Sequence, residues 1–122
     1  MKKIHYNKLI RDKIPEKIKK SGGDYKVEKL KTKEFEKELI KKVGEEADGL
    51  VAAKNKKELI SELADVIDVI EEIKRFKKIT AQQIKTAQKE SDKIKGGFKK
   101  RLFLFWSSDT GYRSNERRYS RR

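Results

Sequence analysis

The chain has 122 residues, a formal net charge of +14 and no cysteine. This length fits one domain, and the lack of cysteine excludes disulfides and thiolate metal sites. No run approaches the roughly 20 apolar residues that cross a bilayer, and the N-terminus lacks the apolar run of a signal peptide, so we expect a cytoplasmic protein without a membrane partner.

The first half of the chain predicts two helices. Pro15 suits a helix N-terminus and predicts a short helix to Lys20, which the residues at 21–24 end. Residues 25–31 show no clear period and are expected to be extended. Thr32 is a good N-cap for an amphipathic helix that runs to about Lys54. Its apolar residues recur every three or four positions: Phe35, Leu39, Val43, Ala47 and Leu50.

Two capping boxes predict the helices of the second half. Asn55 with Glu58 opens the longest apolar pattern, and Thr80 with Gln83 opens a last helix that ends before Gly96 and Gly97. The aromatic-rich residues 102–106 are expected to fold back onto the helices.

The predicted organisation is an all-α antiparallel bundle of about four helices over residues 1–106. An Arg/Ser-rich tail over residues 107–122 offers almost nothing to bury, and we expect it to be disordered.

Two acidic clusters flank the predicted turn between the two long helices. Glu45 and Glu46 lie late in the first helix, and Glu62, Asp65 and Asp68 lie early in the second. A helical hairpin brings the two clusters together. Converging carboxylates repel one another, and in a chain with no cysteine and one histidine a hard cation such as Mg²⁺ is the natural partner.

The acids of the second helix form a stripe beside its apolar face. A helix turns about 100° per residue, which places Glu62, Asp65 and Asp68 on this stripe and Glu46 at the edge of the apolar face of the preceding helix. Residues 59–73 contain five acids and no Lys or Arg. The simplest interpretation of any one of these acids is a solvated side chain paired with one of the many lysines. The five acids together, with no Lys or Arg among them, favour a metal site.

Cationic residues occur in two further segments. Lys8, Arg11 and Lys13 lie near the N-terminus, and several lysines bracket the turn at Gly96 and Gly97. An acidic metal cage with basic arms is the general layout of phosphoryl chemistry on a polyphosphate.

Four motifs together resemble one family. Residues 6–15 (YNKLIRDKIP) are similar to the opening of MazG-like nucleotide pyrophosphohydrolases, in the branch related to phosphoribosyl-ATP pyrophosphohydrolase. Residues 45–49 resemble the family's E-E-x-x-E element, residues 62–66 its E-x-x-D element, and residues 95–98 (KGGF) its closing R-G-G-F. The motifs occur in the family's order over residues 6–105.

The resemblance implies a helical dimer or dimer of dimers that cleaves nucleoside triphosphates to the monophosphate and pyrophosphate with Mg²⁺, or Mn²⁺ in its place. It assigns Glu46, Glu62 and Asp65 to the metal, and Glu45 to a supporting role beside the metal ligands or to positioning the attacking water. Asp68 is a further candidate ligand because it lies on the acidic stripe. The phosphates are assigned to Lys8, Arg11, Lys13, Lys95, Gly96, Gly97 and Phe98.

One position departs from the family pattern. The third acid of E-E-x-x-E falls on Gly49, which has no side chain. Asp48, Asp68 or water is expected to replace it, or the activity is weakened. Two other interpretations stay open: a basic helical module that binds nucleic acid, with the tail as its contact, and a catalytically impaired scaffold with the MazG-like fold.

Overall fold

The computed structural model describes residues 2–111, and every structural statement below concerns these residues. They form four helices and no strand: α1 (Ile14–Lys20), α2 (Thr32–Ala52), α3 (Lys56–Lys77) and α4 (Ala81–Lys95). None of these helices is both long and apolar enough to cross a membrane. The chain divides into two compact units, residues 1–86 and 87–122, with the boundary inside α4. Over residues 2–111, the prediction of an all-helical structure with four helices is confirmed.

Local hydrogen bonds explain where the later helices begin. The backbone N–H of Glu58 donates to Asn55 Oδ1 at 2.9 Å, and Glu58 Oε1 accepts from the N–H of Lys54 at 2.9 Å. Thr80 and Gln83 form the reciprocal pair before α4, at 3.1 and 2.8 Å. The predicted capping box at Thr80 is therefore complete, whereas at α3 Asn55 caps the helix and Glu58 accepts from the residue before the cap.

The predicted cap of α2 is wrong by one residue. Thr32 is the first helical residue, and the extended residue before it is Lys31, whose ψ is 161° and whose side chain makes no capping hydrogen bond. The chain enters the helix one position earlier than the side-chain preference of threonine indicated. At the other end of the helical region, Gly96 adopts a φ of +78°, a left-handed conformation that favours glycine and ends α4.

Helices α2 and α3 pack along each other. The rings of Phe35 and Phe76 meet edge to face with centroids 5.0 Å apart, and Lys77 Nζ lies 3.1 Å from Glu36 Oε1. These contacts join the start of α2 to the end of α3. At the opposite end, the backbone of Gly49 lies against the carboxylate of Glu62. The short connection at 53–55 therefore places the acidic part of α2 beside the acidic part of α3.

The hairpin buries little apolar surface. Leu39 is the one buried hydrophobic residue among the described residues, with 5% exposed. On α3, an aliphatic ridge of four residues spaced three or four apart is 41–52% exposed: Leu59, Leu63, Ile67 and Ile70. This ridge is the face that the sequence predicted as core, and it is only half covered.

Residues 102–106 were expected to fold back onto the helices, and this expectation stays a prediction. Their side chains are 64–87% exposed, and residues 101–109 form no helix or strand. Consecutive apolar residues do not by themselves specify a covering partner. The predicted tail begins at Ser107, and residues 107–111 are exposed. Its remaining residues, 112–122, lie outside the described part of the chain, so the expectation of disorder stays a prediction there.

Candidate metal centre

Three carboxylates from the two long helices converge at the acidic end of the hairpin. Glu46 on α2 and Glu62 and Asp65 on α3 each bring one oxygen to within 4.8 Å of the others, and all three residues are partly exposed. Glu62 and Asp65 are three residues apart and share a face of α3. The pairing of α2 with α3 supplies the third carboxylate, so the packing itself builds the cluster.

The carboxylate of Glu62 occupies space that a side chain at residue 49 would need. An ideal Cβ built on Gly49 would lie 2.5 Å from Glu62 Oε2 and 3.1 Å from its carboxyl carbon. A Cβ at this distance would require the end of the Glu62 side chain to shift, so the present position of that carboxylate depends on glycine at residue 49. The position that lacks the family's third acid is thus filled by a carboxylate from the neighbouring helix.

Lys42 pairs with the two glutamates of α2. Its Nζ lies 3.2 Å from Glu45 Oε1 and 3.8 Å from Glu46 Oε1, and it also donates to the backbone carbonyl of Leu9 at 3.0 Å. The lysine side chain is mostly buried. It therefore fixes both glutamates and ties the N-terminal segment to α2. Lys42 was not among the predicted site residues, although its spacing of three and four residues from these acids was a signal.

Arg11 pairs with two acids of α3. Its Nη2 lies 2.9 Å from Asp65 Oδ1 and 3.0 Å from Asp68 Oδ2. A hydrogen bond with Asp68 and the charge of both carboxylates raise the pKa of the Arg11 guanidinium above its ordinary value. The negative charge of the acidic stripe is therefore partly balanced by Arg11, which lies 54 residues before Asp65 in the sequence. The composition of α3 alone could not reveal this contact.

The donor set fits a hard divalent cation. Mg²⁺ binds oxygens at about 2.1 Å in octahedral geometry, so its ligand atoms lie about 3–4.2 Å apart. Three carboxylates within 4.8 Å need only a small closure to reach that spacing. Their partial exposure leaves room for the waters that Mg²⁺ retains. Among the described residues, no lysine or arginine forms an ion pair with Glu62.

The other predicted site residues are placed as follows. Asp68 lies outside the group of three and contacts Arg11, and Glu45 contacts Lys42. Lys8 lies 5.7 Å from the centroid of the Tyr6 ring, and Lys13 is exposed just before α1. In the second unit, α4 ends at Lys95, Gly96 and Gly97 follow, and Phe98 is exposed.

No family model, no curated protein and no solved structure matches this chain. Its function is therefore argued from the site.

Proposed function

We propose that the protein is a Mg²⁺-dependent nucleotide pyrophosphohydrolase that converts nucleoside triphosphates to monophosphates and pyrophosphate. The observation that carries this proposal is the convergence of Glu46, Glu62 and Asp65 within 4.8 Å. The three residues that come together are the same three that the MazG-like motifs assign to the metal. The family membership is part of the proposal and rests on those motifs.

The cluster suits the charge of a polyphosphate. In this proposal Glu46, Glu62 and Asp65 hold the divalent cation, which when bound neutralises negative charge on the phosphate oxygens. Glu45 lies beside this group, with its carboxylate on Lys42. In the proposal it orients the attacking water and accepts its proton, while Lys42 keeps the carboxylate in place.

The exposed cations of the N-terminal segment bind the phosphates. Lys8 and Lys13 are exposed and form no ion pair within the described residues. Leu9, next to Lys8, is attached to α2 through Lys42, so the segment lies at the acidic end of the hairpin. The resemblance also assigns Lys95 and the glycine turn at 96–97 to the phosphates, and that assignment stays a prediction.

The proposal includes an antiparallel helical bundle formed by a homodimer or dimer of dimers. Among the described residues the hairpin has one buried hydrophobic residue, Leu39, and so small a core favours self-association. The half-exposed ridge of Leu59, Leu63, Ile67 and Ile70 has the spacing of a helix-packing face. A second copy laid against this ridge would complete the core.

The test is pyrophosphate release across a panel of canonical and modified nucleoside triphosphates with Mg²⁺. We expect turnover of at least one nucleotide by the native chain and a loss of at least a hundredfold in Glu62→Gln, which keeps the side-chain shape and removes the charge. A Glu28→Gln variant, which makes the same change at an exposed residue outside the helices, serves as the matched control. Salt-sensitive nucleic-acid binding without turnover would favour the basic binding module, and Mg²⁺ binding without turnover would favour the impaired scaffold.

A further inference from the structure

Arg11 forms an ion pair with a carboxylate that is also a proposed ligand of the metal. Its Nη2 is 2.9 Å from Oδ1 of Asp65, and Asp65 is one of the three residues of the candidate metal centre. A guanidinium and a divalent cation at the same carboxylate repel each other. The charge of Arg11 therefore lowers the affinity of this site for a metal ion.

The contact of Arg11 is a replaceable one. Its side chain is 60% exposed, and Asp68, its second partner, is 58% exposed. Ion pairs this open to water hold weakly. Arg11 also lies outside the helices, two residues after the Leu9 carbonyl that Lys42 holds. The segment can thus stay attached to α2 while the arginine side chain changes partner.

A phosphate group would compete with Asp65 for the guanidinium of Arg11. The planar guanidinium donates two parallel hydrogen bonds to phosphate oxygens, whereas here one nitrogen, Nη2, is shared between two separate carboxylates. A phosphate group therefore offers Arg11 a better-matched acceptor than the one that it has in this structure.

We propose that Arg11 is an internal counterion that competes with the divalent cation for Asp65, and that a phosphate which captures Arg11 frees this carboxylate for the cation. The inference rests on the proposed metal centre. It makes metal and phosphate bind cooperatively, since each ligand strengthens the binding of the other by the same factor. Arg11 would then be a positioning residue that keeps the site from loading metal before the nucleotide arrives.

The experiment is a Mn²⁺ titration of the full chain, followed by electron paramagnetic resonance of the free ion, without nucleotide. We expect Arg11→Gln to bind Mn²⁺ at least fivefold more tightly than the native chain. Lys17→Gln makes the same change of charge on α1, at a residue with no ion pair among the described residues, and should alter the affinity by less than twofold. Adding inorganic phosphate should tighten Mn²⁺ binding in the native chain but not in Arg11→Gln.

A second measurement does not depend on any variant. The Arg11 Nε–H resonance of the native chain should shift when Mg²⁺ is added, and should shift at lower Mg²⁺ in the presence of inorganic phosphate. Equal Mn²⁺ affinities in the native, Arg11→Gln and Lys17→Gln chains, with an unmoved Arg11 resonance, would overturn the inference and leave the metal centre intact. No Mn²⁺ binding by any of the three at millimolar concentration would overturn the metal centre and this inference with it.

Discussion

The glycine at position 49 leaves space that the carboxylate of Glu62 occupies. A Cβ built on residue 49 would lie only 2.5 Å from Oε2 of the Glu62 carboxylate. The nearby Gly44 has nothing within 4 Å of the corresponding point. The two glycines of α2 therefore differ: the space beside Gly49 holds the carboxylate of Glu62, and the space beside Gly44 is open.

Substitutions at Gly49 should separate helix stability from metal affinity. Gly49→Ala should stabilise α2 by about 1 kcal/mol through helix propensity, less whatever the displacement of Glu62 costs. It should also weaken Mg²⁺ binding several-fold, because Glu62 must move out of the cluster. Thermal unfolding and calorimetric Mg²⁺ titration measure the two effects. Gly44→Ala is the matched control and should raise stability without changing Mg²⁺ affinity.

The charge at residue 49 gives a second comparison at this position. Both Gly49→Gln and Gly49→Glu displace Glu62, but only the glutamate returns a carboxylate to the cluster. Gly49→Glu should therefore bind Mg²⁺ more tightly than Gly49→Gln, and the further change Asp65→Asn should remove that difference. Equal Mg²⁺ affinities for Glu and Gln would show that residue 49 lies outside the metal shell.

The Glu72 carboxyl should titrate below the ordinary range of a glutamate. Its pKa is lowered first by the hydrogen bond from Arg75 and also by the charge of that arginine. Because the folded-state pKa is the lower one, the stabilisation from this pair is present above the unfolded pKa of about 4.3. It is lost as the pH falls through the folded pKa. A carboxyl-carbon NMR titration measures this shift, and Arg75→Gln should return the pKa of Glu72 towards its ordinary value; an unchanged pKa would contradict the assignment.

At the scale of the helices, the sequence predicts local features well and contacts between distant residues poorly. The helix caps at Asn55 and Thr80 were predictable because their partners lie three residues apart. Glu46, Glu62 and Asp65 were also predicted to meet, since a short turn between two long helices leaves few alternatives. The ion pair of Arg11 with Asp65 was not predictable, because it depends on the path of a non-helical segment across 54 residues.

The hairpin depends on Leu39 more than on its neighbour Ile40. Leu39 is 5% exposed and Ile40 is 53% exposed. Leu39→Ala should therefore cost about 2–5 kcal/mol of unfolding free energy, and Ile40→Ala should cost clearly less. Urea unfolding at one fixed protein concentration measures both, since self-association would make stability depend on concentration. Similar losses for the two variants would mean that Ile40 is buried in an assembly.

At the scale of the whole molecule, the Arg/Ser-rich tail should be dispensable for folding. Residues 107–111 are exposed, and the composition of 107–122 offers little apolar surface. A chain that ends at Trp106 should keep the helical circular dichroism and melting temperature of the full chain, along with any hydrolytic activity. Loss of helical signal on truncation would show that the tail contributes to the fold.

The proposed function combines the net charge of +14, which suits a polyanionic ligand, with the acidic end of the hairpin as the proposed metal centre. The measurement that tests this account most directly is ³¹P NMR of a nucleoside triphosphate, chosen from the panel, incubated with the full chain and Mg²⁺. The account predicts equal amounts of monophosphate and pyrophosphate, no product after chelation of Mg²⁺, and no product with Glu62→Gln. Release of inorganic phosphate with a diphosphate, or equal turnover by Glu62→Gln, would contradict it.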